Sequence, residues 1–544
     1  MRPRRLRAPG DDGAVLADPP LGEAATLATA NRARLEAWDH DFQGRRRSWL
    51  AVCARTRLLE TARRYHDKFG LDLPETPLSD PSATPFVVTG HQPELFHPGV
   101  WVKNFATDAL ASALGGAGVN LIVDNDIAKT AAIRVPTRNG EEIRAVRAEF
   151  DAWEGDAPFE DLLIRDRSLF DSFPTRVRGL LGDLVDDPVL DLYWPEVARR
   201  AAGTGRVGTL FATARRAVEG LWGVRNFEAP LGEVCETEGF LWFASHLLAH
   251  AGRFQTIHND ALAAYRKLYA IRSRNHPVAA LARDGDWVEA PFWVWRASSP
   301  RRRPLWTRQR SKTLELRIGG EDEALLELPL GPDREACCAV ERLADLPTRG
   351  VRLRTRALTT TMFARTLLAD LFVHGIGGAK YDELGDEVSR RFFNFEPPAY
   401  LTLTMTRRLG IGSIDPSRPD RLRGVERALR DLEFNPDRHL DVDATAAGDE
   451  ATRLVESKRA AIAWPTASRK ERAARYYEVR RCNAALARFV ADRRRELQAA
   501  RRDLIVDLRR EQTARSREYP FILHSATGLR GTLGGVVAAI RTSR

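Results

Sequence analysis

The chain has 544 residues, 43% of them apolar and 29% charged, a composition that builds globular cores and a length that suits about three domains. Its formal net charge is +10, but eight lysines stand against 76 arginines and the charge is dispersed, which points to a coding bias and away from the localised patch of a nucleic-acid surface. No apolar run reaches the roughly 18 residues of a membrane span, and Cys53, Cys235, Cys337, Cys338 and Cys482 are scattered without CxxC spacing, which argues against a disulfide framework and a zinc site and fits a reducing cytoplasm.

The basic start, MRPRRLR, lacks an apolar core and is expected to be a flexible segment, not a secretory signal. Helical periodicity runs from 26 to 70 and ends at Gly70, as a helix stop does. Pro74, Pro77, Pro81 and Pro85 then mark a linker, so 1–80 reads as an N-terminal helical segment with its tether. An α/β core is expected over 81–411. The run FVVTG after Pro85 is its first strand, a helix starts near Pro98 and stops at Gly115 and Gly116, and VNLIVDND (119–126) is the second strand. Strand, helix and strand with a short crossover make the parallel unit of a Rossmann-type, nucleotide-binding sheet.

Residues 150–345 read as an insertion. Its first part, 155–270, is mostly helical. From 287 the pattern turns to alternation in WVEAPFWVWRA, PLWTRQ, TLELRI and ALLELPL, the signature of an antiparallel meander. The α/β pattern returns over 351–393, and AYLTLTMT (399–406) is a further strand. From 412 to 515 the chain is rich in Arg, Glu and Ala. Val490, Leu497 and Leu504 fall seven apart, and Pro465 divides the region, so a helical coiled coil folded as an antiparallel hairpin is expected, with 516–544 as a tail packing on the core.

Candidate chemistry gathers at three places. The first is TGHQPELFHPG, at a strand end ahead of a helix start, where ligands of open α/β sheets sit. There Thr89, Gly90, Gln92, Gly99 and Asn104 offer binding groups, and His91 and His97 offer donors or proton transfer beside a helix N-terminus suited to an anion. The second is VDND. If the strand continues through it, Asp124 and Asp126 point to one face and meet one ligand, with Asn125 between them. They could hold an amine, take a proton or carry Mg²⁺; turn or cap aspartates are the plainer reading. The third is HGIGGAKYDELGD. Gly375, Gly377 and Gly378 form a glycine-rich loop that lets backbone approach a ligand, followed by Lys380, Tyr381 and Asp382.

Other features are weighed as structural. His246 and His250, four apart on a helix, lack a third zinc ligand and read as packing. Arg301, Arg302 and Arg303 near Trp306 are either a solvated hairpin tip or an anion grip. Neither GxSxG nor a P-loop occurs, which disfavours a serine-hydrolase elbow and a P-loop NTPase.

Taken together, VVTGHQPELFHPGVWVKNFATDALA, LIVDNDIA and FVHGIGGAKYDELGDEVSRRFFNFEPPAYLTLTMT, followed by a charged helical region, resemble the bacillithiol-synthase family of cysteine-adding enzymes. The segment from His97 also resembles the HxGH signature of nucleotidyltransferase-type folds, with Val100 in place of its second histidine. The resemblance covers two patches of the core and the C-terminal half in outline. It implies a nucleotidyltransferase-like core and a ligase that joins an amino acid, cysteine in the family, to an amine-bearing sugar metabolite. It further implies ATP or ADP with Mg²⁺, no structural metal, and a homodimer through the coiled coil. Thr89, Gly90, Gln92, Asp124, Asp126, Gly377 and Gly378 match the family's motifs. His91 replaces a glutamine, Val123 a glutamate and Asn125 a histidine, while Lys380 and Tyr381 depart from the third motif. The alternative is a non-catalytic nucleotide- or metabolite-binding scaffold on the same fold. Small molecules are the expected partners, ahead of nucleic acid and with no membrane.

Overall fold

The computed structural model describes residues 6–74, 80–140, 142–273, 275–412, 415–440 and 448–542, with Glu142 and Arg510 described by their backbone alone. The outermost N-terminal residues and the centre of the expected linker lie outside these. The chain forms a mixed α/β structure that divides into two compact units. The first comprises 1–137, 146–409 and 517–544; the second comprises 138–145 and 410–516.

The first unit is built on a six-stranded sheet. Its strands are β1 (Val15–Asp18), β2 (Phe86–His91) and β3 (Ala117–Ile122), followed after the ribbon of β4 (Ala132–Asn139) and β5 (Glu142–Glu149) by β6 (Phe227–Pro230). A second sheet follows, with β7 (Arg283–Asp284), β8 (Trp287–Arg296), β9 (Ser299–Gln309), β10 (Leu314–Ile318), β11 (Leu326–Leu328) and β12 (Val351–Thr355). Then β13 (Leu371–His374) and β14 (Tyr400–Met405) complete the first sheet, whose order is β1-β14-β13-β2-β3-β6. Five of these strands run parallel, and β1 pairs antiparallel with β14 at the edge. Among the parallel strands the chain starts in the middle at β2, builds outward through β3 and β6, then returns to the other flank of β2 for β13 and β14. The strand ends of β2 and β13 therefore bound the place where the winding reverses.

Burial explains the sequence of this sheet. Phe86, Val87 and Val88 on β2, and every residue of β3 and β14, are buried, as parallel strands covered on both faces must be. The helix Pro98–Ala113 packs on β2, β3 and β14 and on the C-terminal helix Ala526–Thr542, whereas Ile376–Phe393 packs on Ala251–Leu268. The antiparallel sheet runs β11-β10-β9-β8-β12, and its apolar face joins the same hydrophobic core through Phe292, Val294, Leu305, Leu316 and Leu353.

Several expectations are corrected. The helix expected over 26–70 is two, Ala24–Ala37 and Arg47–Phe69. The break holds Gln43 at φ 57°, and its side-chain amide donates to the carbonyls of Gly331, Pro332 and Arg334, contacts a continuous helix would forgo. The second strand stops at Ile122, where its neighbour β6 ends in Pro230. The strand at 351–355 belongs to the antiparallel sheet, paired with β8. The insertion also supplies β6, an edge strand of the main sheet too short to announce itself.

In the second unit, Arg418–Phe434 and Ala491–Arg515 run antiparallel, with Arg418 meeting Asp507 and Glu511 at one end and Glu426 meeting Arg501 further along. Leu432, Val490 and Leu497 share a small apolar cluster. Gly448–Ile462 packs on Arg469–Leu486. Among the described residues no helix is long and apolar enough to cross a membrane.

Candidate functional site

At the carboxyl edge of the main sheet, β2 ends in His91, β3 in Ile122 and β13 in His374. Thr89 lies opposite Val373 and His91 opposite Ile122, so the three expected segments leave neighbouring strands, about 4.8 Å apart, at one edge. Two of them line a common cavity of about 290 Å³, through Gln92 from the first and Val123, Asn125 and Asp126 from the second. The third does not reach it. Its place is taken by residues 355–360, by Trp293 and Arg302 of the antiparallel sheet, and by Phe254 and His258.

The cavity's polar wall is a chain of paired groups. Arg302 Nη1 lies 2.8 Å from Asp126 Oδ1 and donates to the Asn125 carbonyl. Gln92 Nε2 donates to Asp126 Oδ2 at 2.7 Å. The Asn125 amide, 3% exposed, donates to the Thr355 carbonyl at 3.0 Å. Arg356 pairs with Glu289 at 2.6 Å. The Arg302 and Arg356 guanidiniums lie 5.0 and 4.0 Å from the ring centroid of Trp293, approaching from β9 and from the end of β12, the two neighbours of β8. Burial lowers the basicity of His258 and of Arg356. Of the arginine triplet, Arg301 and Arg303 are exposed and Arg302 turns inward, as strand alternation dictates.

Asp124 and Asp126 part company because residues after Ile122 form a turn, so the strand alternation expected to align them does not operate. Asp124 accepts from the Gly232 amide at 2.8 Å; burial, then the neighbouring Glu160, pushes its carboxyl well above the usual range. Glu160 is itself held by both arms of Arg354.

His91 hydrogen-bonds the Gln92 carbonyl through Nδ1, and burial, then the charge of Lys103, lowers it to about 3. It borders, with Asn104, a separate void of about 10 Å³, room for about one water. Asn104 donates to Glu219, part of a buried set in which Arg215 bridges Glu219 and Glu228. His97 caps the helix Pro98–Ala113 by accepting the Gly99 amide at its Nδ1, and burial lowers it to about 4. Gly99 is fixed by packing, since a Cβ there would sit 2.3 Å from the Met405 carbonyl oxygen. Thr89 donates its hydroxyl to the Val373 carbonyl across the two strands, and Gly90 accepts from Lys103 Nζ.

The expected glycine-rich loop is instead the first turn of a helix, Ile376–Phe393, with Gly375 as its N-cap. A Cβ on Gly378 would meet His374 Nδ1 at 2.5 Å, whereas Gly375 and Gly377 face open space. Asp382 binds His374 at 2.7 Å and Arg365 at 2.9 Å; although burial alone would raise it, those two charges bring its carboxyl down to about 2. Lys380 is exposed, and Tyr381 is half-buried with its ring edge-on to His276.

Sequence reasoning missed Lys103, whose ammonium is buried and lowered to about 8 by burial, then by Arg215. Its signal was present: a lysine among the apolar positions of VWVKNFATDALA. Trp293, His258 and Arg356 were missed because no local pattern ties the insertion to the sheet edge. Among the described residues no group of three or more His, Cys, Asp or Glu side chains is placed to hold a metal ion. Searches against protein-family models and against curated proteins returned no match.

Proposed function

We propose that this chain is a ligase of the bacillithiol-synthase type, joining the carboxyl of an amino acid to an amine-bearing small molecule at the carboxyl edge of the main sheet. The observation that carries the reading is the cavity itself. It sits where strand ends of an open α/β sheet place ligands, and it combines an apolar floor with guanidinium, carboxylate and amide groups on one wall. Numbered in chain order, the parallel strands lie 3-2-1-4-5, which supports a doubly wound, Rossmann-type core of the nucleotidyltransferase-like kind. The resemblance of the three sequence segments supplies the reaction class. The antiparallel helices of the second unit are the part that resembles the family's coiled coil, and a homodimer through them belongs to the same proposal.

A nucleotide belongs to the same proposal, its phosphates suited to the N-terminus of the 18-residue helix Ile376–Phe393, which Gly375 and Gly377 open and which follows the strand beside the one that leads into Gln92. A bound nucleoside triphosphate supplies the activation that an amide bond to a free carboxyl requires. Arg302 and Arg356 hold the carboxylate end of a substrate, and Asp126 and Asn125 orient its amine. Asp126, paired with Arg302 and Gln92, is committed within the protein and not set out as a magnesium ligand.

The test is amino-acid-dependent release of AMP or ADP across an amino-acid panel with amino-sugar acceptors. Release with at least one amino acid, reduced about a hundredfold in Asp126→Asn, is expected. Nucleotide binding without release for any member leaves the scaffold alternative in its place.

A further inference from the structure

Building on the reading of the cavity as the substrate site, we infer that it selects a zwitterionic α-amino acid with a large apolar or aromatic side chain, and not cysteine. The polar wall is charge-balanced: Asp126 faces Arg302 and Glu289 faces Arg356. A ligand of single charge leaves a half-buried ion without compensation, whereas a zwitterion adds one charge of each sign.

Both signs find spare capacity. Arg302 spends Nη1 on Asp126 and the Asn125 carbonyl; Arg356 spends Nε on the Phe292 carbonyl and Nη2 on Glu289. Their remaining N–H groups have no partner among the described residues and suit a carboxylate. On the acceptor side, the Asn125 and Gln92 amides face Thr355 and Asp126 with their NH₂ groups, which fixes their orientation. Asn125 Oδ1 and Gln92 Oε1 therefore lack donors among the described residues. Asn125 lines the cavity, and an amide oxygen left without a protein donor accepts one from an ammonium, which carries three.

The side-chain end is set by the rest of the lining. Phe254, Leu281, Pro291 and Leu358 are apolar, and Trp293 closes the wall. An apolar cavity of about 150 Å³ already admits benzene; the 290 Å³ here takes an aromatic ring together with an amino-acid backbone and leaves a cysteine side chain largely uncontacted.

Calorimetric titration of the full chain tests this with L-phenylalanine, L-cysteine, L-alanine, 3-phenylpropionate and phenethylamine. L-phenylalanine is expected to bind, and the other four at least about tenfold more weakly, as loss of a charged hydrogen bond or of the apolar contact requires. Arg302→Gln is expected to weaken L-phenylalanine about tenfold or more. Ala279→Trp, at the exposed rim, is expected to abolish binding with an unchanged unfolding midpoint, and remains informative if Arg302→Gln fails to fold. Equal binding of either single-charge analogue, of L-alanine or of L-cysteine overturns the inference. So does full binding by Ala279→Trp, or no binding of L-phenylalanine. Binding as expected with no amino acid driving nucleotide release removes the ligase reading and leaves the amino-acid site standing.

Discussion

Asp124 holds its proton more tightly in the fold than in the unfolded chain, because burial and then Glu160 disfavour its charge. The stabilisation it contributes is present below about pH 3.9, its unfolded value, and is lost as pH rises through the folded one. Asp124→Asn removes that loss, so urea unfolding is expected to show a variant more stable than the parent at pH 7.5 and no more stable at pH 4. The histidines act in the opposite sense. His66, His91, His97, His246 and His524 are lowered by burial to about 4, 3, 4, 2 and 3. Each is neutral in the fold where the unfolded chain takes up a proton near 6.5. Stability is complete above that pH and falls below it, by about 1.4 kcal/mol per pH unit for each histidine. Urea midpoints are expected to drop steeply between pH 6.5 and 4.5, and a flat profile would contradict the burial of these rings. Residue identity alone announced Gln92 and Asp126 as polar groups at strand ends. It could not show that Asn104 serves Glu219, since that contact spans 115 positions.

The helix Pro98–Ala113 docks closely enough that Gly99 has no room for a methyl group. Gly99→Ala is expected to lower stability by about 1–3 kcal/mol through overpacking, measured by chemical denaturation. One turn of that helix also meets the buried set around Arg215, whose partners Glu219 and Glu228 are fully buried. Arg215→Met leaves both carboxylates without their cation, and a loss of about 3–5 kcal/mol is expected. Elements were legible where periodicity was long: β2, the helix after it and β14 appear within a few residues of their expected places. The helix expected over 26–70 and the loop expected at 374–386 were not, because a tertiary contact decides each. Gln43 trades helix for three carbonyls, and the glycines that resemble a loop are the opening turn of a helix against His374.

At the scale of the molecule, a large mixed core and a thinner helical unit share one chain. The helical unit buries few apolar side chains, so differential scanning calorimetry is expected to resolve two transitions, with a single cooperative one contradicting that division. The parallel α/β character could be read from strand–helix–strand spacing. The sheet order could not, because β6 hides in the insertion and β12 belongs to the other sheet. For the same reason part of the cavity wall was invisible in the sequence: Trp293 and Arg356 carry no local signal, and Arg302, singled out as a hairpin tip or anion grip, reaches the strand ends only through the antiparallel sheet. The most direct test of that assembled wall is hydrogen–deuterium exchange with and without ATP and a mixture of amino acids. Slowed exchange at 92–96, 123–128 and 355–360 together is the expected result. Unchanged exchange at all three, with protection elsewhere in the chain, would contradict it.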